Sequence, residues 1–271
     1  MKPLLAASVL LLAACAQGGA DAPTAGARPT IVSLNPCTDA ILADVTAPGQ
    51  LLAISHYSKD PRSSSMPAKQ ASRYRATGGT VEEVLALDPD VVVAGSFIAP
   101  ATRAALEDLG MQVVTFGIAS DVASSEEQIR ELASLAGDPR AGQRLIERIE
   151  AALTEAEAPD GRAVDVLLWQ PGGIVAGEQS LVSDLLARTG FTNGAPARGL
   201  SQADYVALED VVAAPPHVLL VAGGDLGQQH PVLDRLPDMR RERFDTSLLY
   251  CGGPTIIRAA RRLAEIRSTV S

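Results

Sequence analysis

The chain has 271 residues, of which 46% are apolar, 20% charged and only 3% aromatic. That composition supports a folded core of one or two domains and excludes a collagen, a coiled coil or a wholly disordered chain. The formal charge is −9, from 23 basic against 32 acidic residues, with no basic tract to follow a phosphate backbone. Nucleic acid is therefore not an expected partner.

Lys2 precedes the run Leu4 to Ala14, and Cys15 follows it. The run falls well short of the ~20 apolar residues a spanning helix needs, and its charged start and small-residue end describe an export signal over residues 1–14. The ending Leu12-Ala13-Ala14-Cys15 resembles a bacterial lipobox, which makes Cys15 the expected lipidation site and new first residue. Residues 15–29, rich in Gly, Ala, Pro and Thr without periodicity, suit a flexible tether. Loss of Lys2 with the signal leaves 22 basic against 32 acidic residues, a formal −10. The expected location is periplasmic or extracytoplasmic, with the lipid anchor as the sole membrane contact.

From Thr30 onward, short apolar runs alternate with helical patterns. Ile31 to Leu34 reads as a buried strand stopped by Asn35-Pro36, with Thr38 or Asp39 as the expected helix cap. Leu51 to Ile54 is a second strand. Val81 to Leu87 is helical and Val91 to Ala94 a strand, followed by a helix from Ala101 to Leu109 and a strand from Val113 to Phe116. Residues 138–158 form one long amphipathic pattern, capped by Asp138 and opened by Pro139, with Leu145, Ile146, Ile149, Ala152 and Leu153 on one face. Beyond it come a strand (Val164 to Trp169), helices (Ser180 to Arg188, Leu208 to Val212), a strand (Val218 to Val221) and a basic amphipathic helix (Thr255 to Ile266). Alternation of this kind predicts an α/β fold with parallel sheets.

The segment Val81 to Val93 recurs 127 residues later as Leu208 to Leu220, with five of thirteen positions identical. Both copies read helix, proline stop, buried strand. A repeat on either side of one long helix predicts two similar lobes, residues 30–137 and 162–271, bridged by residues 138–158. The gap between two such lobes is a favoured place for a small ligand.

These segments resemble the periplasmic iron-siderophore and vitamin B12 binding proteins of ABC importers. The carrying residues are Ile31 to Pro36, Leu51 to Pro61 with its Ser55-His56-Tyr57-Ser58, Val81 to Val93, and the tail from Gly253 to Leu263. The resemblance implies two α/β lobes joined by one helix, a cargo held in the cleft, and a monomer that is not an enzyme. It implies a membrane permease and its ATPase subunits as partners, with Glu82 and Glu209 docking on the permease. The repeat supports that pairing independently, since symmetric carboxylates suit a two-fold partner. The expected ligand is an iron complex (siderophore or heme-like) or a corrinoid. No resident cofactor or metal site is expected, iron or cobalt arriving within the cargo. A free Zn or Mn binder of a related two-lobed fold, and a secreted Cys or Ser hydrolase, are the alternatives.

Ligands of parallel α/β lobes sit outside the carboxyl ends of the strands. That rule nominates Asn35, Pro36 and Cys37, then His56 and Tyr57, in the first lobe. In the second it nominates Trp169 and Gln170, with Tyr250 and Cys251 before the closing helix. Cys37 and Cys251 fall one in each lobe, and three readings stand: a disulfide across the cleft, thiolate contacts to a metal-bearing cargo, or unpaired residues.

Overall fold

The computed structural model describes residues 28–158, 161–201 and 203–270. The export signal, Cys15 and the tether up to residue 27 lie outside the described residues. The first lobe runs β1 (Ile31–Ser33), α1 (Pro36–Val45), β2 (Leu51–Ser55), α2 (Ala68–Ala71), β3 (Arg75–Thr77), α3 (Val81–Leu85), β4 (Val91–Gly95), α4 (Pro100–Asp108), β5 (Gln112–Phe116) and α5 (Val122–Leu135). Helix α6 (Pro139–Glu155) then leads to β6 (Val164–Trp169), α7 (Leu181–Arg188), β7 (Phe191–Asn193), α8 (Gly194–Ala197), α9 (Leu208–Ala213), β8 (Val218–Val221), β9 (Arg240–Arg243) and α10 (Thr255–Ser268).

Two sheets result, ordered β3-β2-β1-β4-β5 and β7-β6-β8-β9. Every pairing in both is parallel. A parallel sheet is covered on both faces, so its central strands are continuous apolar runs rather than alternating ones. Residues Val91 to Ala94 and Val218 to Val221 are accordingly buried without interruption. The sequence repeat becomes a structural one: α3–β4 and α9–β8 each place their strand beside the first strand of their sheet.

Helix α1 begins earlier than the sequence pattern suggests. Asn35, not Thr38 or Asp39, is the cap: it is extended, and its carboxamide oxygen accepts from the Cys37 and Thr38 amides at 2.8 and 3.4 Å. Pro36 fits the first turn because that position needs no amide hydrogen, which leaves Thr38 and Asp39 one turn further in and buried. Helix α6 opens as expected, with Asp138 accepting from the Ala141 amide at 3.0 Å. Its 17 residues span ~25 Å at 1.5 Å per residue.

Among the described residues, polar contacts and a disulfide tie the lobes together besides α6. Val122 donates its amide to Asp184 at 2.9 Å, and the Gly253 amide donates to the Ser125 hydroxyl at 2.8 Å. Arg258 donates to the Ser65 carbonyl. A disulfide joins Cys37, in the first turn of α1, to Cys251, just before α10, with Cα atoms 5.0 Å apart. One continuous apolar cluster runs through this junction, from Ile31 and Ile41 through Leu145 and Ile149 to Ile256 and Leu263.

The bridge closes a loop with a sequence separation of 214 residues. Replacing both cysteines with serine is expected to lower the unfolding free energy by about 3–5 kcal/mol, chiefly by freeing the unfolded chain. Urea unfolding followed by circular dichroism measures this. Because the core is shared, wild type and variant should each unfold in one transition; two separate transitions would contradict a common core.

Candidate ligand-binding cleft

Parallel pairing sends the carboxyl ends of β1, β2, β3 and β4 to one edge of the first sheet. There a cavity of about 520 Å³ is lined by Asn35 and Pro36 after β1, Ser55, His56 and Tyr57 after β2, Thr77 to Gly79 after β3, and Phe97 and Ile98 after β4. Gly95 leaves room at this edge for the Asn35 side chain, since a Cβ there would lie 2.5 Å from Asn35 Nδ2 and displace the capping carboxamide. Asn35 thus has two tasks: it caps α1 and floors the cavity.

His56 and Tyr57 stand on a single 3₁₀ turn, their rings 4.0 Å apart and tilted by 35°. His56 Nδ1 lies 3.3 Å from the Thr77 carbonyl oxygen. A carbonyl only accepts, so Nδ1 carries the proton of this contact and the neutral ring keeps a free lone pair on Nε2. Both side chains are exposed, and both can meet a ligand.

Beneath this turn lies Asp39, fully buried. Its Oδ2 accepts from the Ser55 amide at 2.9 Å and the Ser58 hydroxyl at 2.6 Å, while Oδ1 has no hydrogen-bond partner. Burial pushes this carboxyl up from 3.8 to about 8, against the opposing pull of Ser33, Ser58 and the Ser55 amide. The side chain therefore clamps α1 to the loop that presents His56 and Tyr57.

On the second sheet, the carboxyl ends of β8 and β9 border a cavity of about 420 Å³ lined by Gly223, Gly224, Gln228, Gln229, Arg241 and Arg243. Trp169 corrects its expected role as a ligand contact. Its indole is 3% exposed and donates Nε1–H to the Val206 carbonyl at 3.0 Å, so it belongs to the second lobe's core. Gln170 is half-buried and donates its backbone amide to the Ile174 carbonyl at 2.8 Å. Tyr250 is exposed, and Cys251 is buried beside it. With both sulfurs in the disulfide, neither cysteine is a thiolate ligand. The bridge instead brings the carboxyl edge of the first sheet against the loop that follows the last strand of the second.

Around these edges lies an apolar rim, of which the strand-end rule nominates only Tyr57 and Tyr250. Phe97, Ile118 and Leu226 are 84%, 80% and 89% exposed, and Tyr57, Ile174, Tyr205 and Tyr250 are exposed too. They follow β4, β5, β8, β2, β6 and β9, with Tyr205 paired to Ile174 by an isolated bridge. Of the described residues' exposed large hydrophobics, Leu85 and Leu109 alone lie elsewhere. Apolar side chains gathered at one edge mark a binding surface, whereas scattered ones need no explanation. The available signal was a large apolar residue just past each buried strand.

The two glutamates of the repeat are both exposed. Their neighbours bond locally: Glu83 accepts from Thr77 and the Gly78 amide, and Asp210 accepts from the Ala207 amide. The carboxylates of Glu82 and Glu209 have no hydrogen bond or ion pair among the described residues.

Comparison with known proteins matches the sequence profile described as Periplasmic binding protein to residues 31–241. Curated proteins give no match. Among solved structures, the apo periplasmic heme-binding protein RhuT from Roseiflexus sp. RS-1 superposes with a TM-score of 0.68 at 22% identity, covering 90% of this chain and 98% of that one. The periplasmic vitamin B12 binding protein BtuF of Vibrio cholerae gives 0.67 at 17% identity, with 89% and 97% covered. A possible iron-binding periplasmic solute-binding protein from Staphylococcus epidermidis gives 0.66 at 13% identity, with 89% and 98% covered. At these identities the likeness establishes the fold.

The raised pKa of Asp39 has a defined consequence for stability. Its native carboxyl holds a proton that the unfolded chain releases near 3.8, so its contribution falls as pH rises from about 4 to about 8. Asp39→Asn is expected to remove that slope, at most ~1.4 kcal/mol per pH unit. Urea titrations of both proteins between pH 5 and 8 measure it, and parallel curves would show that Asp39 is ionised throughout.

Proposed function

The chain belongs to the periplasmic binding protein family, and from that membership we propose that it is the capture component of an ABC importer for a heme-like, corrinoid or siderophore-bound iron cargo. Membership supports work outside the cytoplasm and a transporter's permease as the partner. The single observation that carries the cargo reading is the apolar rim at the carboxyl edges of both sheets, set beside the cavity holding His56 and Tyr57. A large ligand with apolar faces satisfies such a rim. His56 Nε2 and the Tyr57 hydroxyl are the groups in that cavity able to approach a metal carried by the ligand.

A bare divalent ion is less well served. Among the described residues no three His, Cys, Asp or Glu side chains converge as a metal site. Structural ion sites normally need about four such ligands.

In the proposed cycle, cargo enters between the lobes, Glu82 and Glu209 meet basic residues of the permease, and release follows as the permease parts the lobes. Lipidation at Cys15 is proposed to keep the protein at the membrane. The carboxylates on the first turns of α3 and α9 support the docking role, because among the described residues neither is taken up by a hydrogen bond or ion pair. As exposed charges they act on encounter and orientation more than on affinity.

A thermal-shift screen of the purified protein against hemin, cobalamin and ferric siderophores tests the cargo. A genuine ligand raises the melting temperature with concentration, following RT ln(1 + [L]/Kd). No shift from any of the three classes would remove this reading. For docking, Glu82→Arg with Glu209→Arg is expected to leave cargo affinity within about twofold yet abolish uptake in cells; uptake at the wild-type rate would refute the assignment.

A further inference from the structure

The basic helix noted in the sequence has no role in the scheme so far. Residues 240–267 carry seven arginines against Glu242, Asp245 and Glu265, in a chain whose formal charge is −9. The fold gathers part of this charge into one place. A cavity of about 720 Å³ opens at the carboxyl ends of β8 and β9, between the loop after β9 and one side of α10. Arg243, Arg258, Arg261 and Arg262 line it, with Asp245 and Glu265 as the acidic members.

These arginines divide by what they already hold. Arg258 donates to the Ser65 carbonyl in the other lobe. Arg262 donates to the Arg243 carbonyl at 2.9 Å and pairs with Glu242 and Glu265, each at 3.3 Å. Both are committed to the fold. The side chains of Arg243 and Arg261 are exposed and, among the described residues, make no hydrogen bond or ion pair. Two unpaired guanidinium groups thus share a cavity whose lining is net positive, on a protein that is otherwise acidic.

Guanidinium is planar and pairs with a carboxylate through two parallel hydrogen bonds. The volume is far beyond a lone inorganic ion and within the range of small-molecule sites. We propose that this cavity holds the carboxylate groups of an anionic cargo, with Arg243 and Arg261 as the binding residues. The inference rests on the cargo-capture reading and narrows it: the cargo has apolar faces for the rim and acidic groups for this cavity.

The test compares the purified wild-type protein with the double variant Arg243→Ala/Arg261→Ala. Both side chains are exposed, so the variant should keep the wild-type melting temperature without ligand. Three probes are used at one fixed ionic strength: hemin, its dimethyl ester, and citrate. Wild type is expected to bind hemin at least about tenfold tighter than the ester, and the variant to bind both alike at the ester's affinity. Citrate should raise the melting temperature of wild type only. Citrate acting equally on the two proteins, or on neither, overturns the anion site whatever the porphyrins do. Equal wild-type affinity for hemin and ester overturns its link to the cargo. If citrate separates the proteins while neither porphyrin binds, the anion site stands and the heme-like cargo reading is what fails.

Discussion

Parallel strand pairing is the constraint on which the rest of this structure depends. In a parallel sheet each strand must be re-entered from the same end, so every loop that leaves a strand emerges along one edge. The buried edges of β1, β2, β4, β6 and β8 therefore deliver Asn35, His56, Phe97, Ile174 and Gly223 to two such edges without any residue being placed individually. Sequence-distant groups share a cavity because backbone hydrogen bonds leave them nowhere else to go. The apolar residues on these loops are then exposed in concert, and their exposure is tolerated as a surface for something to cover.

What the lobes can do relative to each other follows from the junction. Helix α6 is a continuous strut, and it packs against α5 and α10 through side chains that belong to one core. Ser125 and Ser65 each receive a hydrogen bond from the segment around α10, and the Cys37–Cys251 bridge fixes the same neighbourhood covalently. Gly253 sits so close to Ile41 that a Cβ would approach its Cγ1 to 2.6 Å, which leaves no room for sliding between α1 and the start of α10. Motion between lobes of this kind is restricted to small rotations about a pinned base. Large hinge bending would break a shared apolar core, which is a far greater penalty than loss of an exposed interface.

The architecture was legible in the sequence because its determinants are local and redundant. Buried strands such as Val91 to Ala94 have unbroken apolar runs, Asp138-Pro139 is a strong helix start, and the α3–β4 pattern occurs twice. Where determinants are not local, the reading fell short. Strand β9 is Arg-Arg-Glu-Arg, an edge strand whose charges guard an open side and give no apolar signal. Strands β3 and β7, three residues each, are held by their neighbours rather than by propensity. Helix α5 gives only a weak sequence signal although Val122, Ser125, Ile129, Leu132 and Ala133 recur at helical spacing, because its polar content masks the stripe. Of the site, Asn35, His56 and Tyr57 could be found from strand ends alone. Trp169 could not be judged that way: the residue closing β6 faces either the cleft or the core, and packing against Val206 and Leu219 decides for the core. The Asp39 clamp depends on contacts across sixteen and nineteen residues and has no pattern at all.

The local distribution of charge, more than its total, bears on capture. A net formal charge of −9 would repel an anionic ligand if the whole protein acted at long range. In salt near 0.15 M, however, fields decay over ~8 Å, so an approaching ligand responds to the nearest few groups and not to the total. Arginines concentrated beside the carboxyl edge of the second sheet therefore set the local sign there. Glu82 and Glu209 stand on the first turns of α3 and α9, shortly after Thr77 to Gly79 of the first cavity and Tyr205 of the rim, so they flank the same carboxyl edges as the cavities. A basic partner surface that meets these carboxylates would therefore also face the loops that line the cavities. That shared edge is itself a product of the parallel sheets, in which each helix starts at the end where the preceding strand stops.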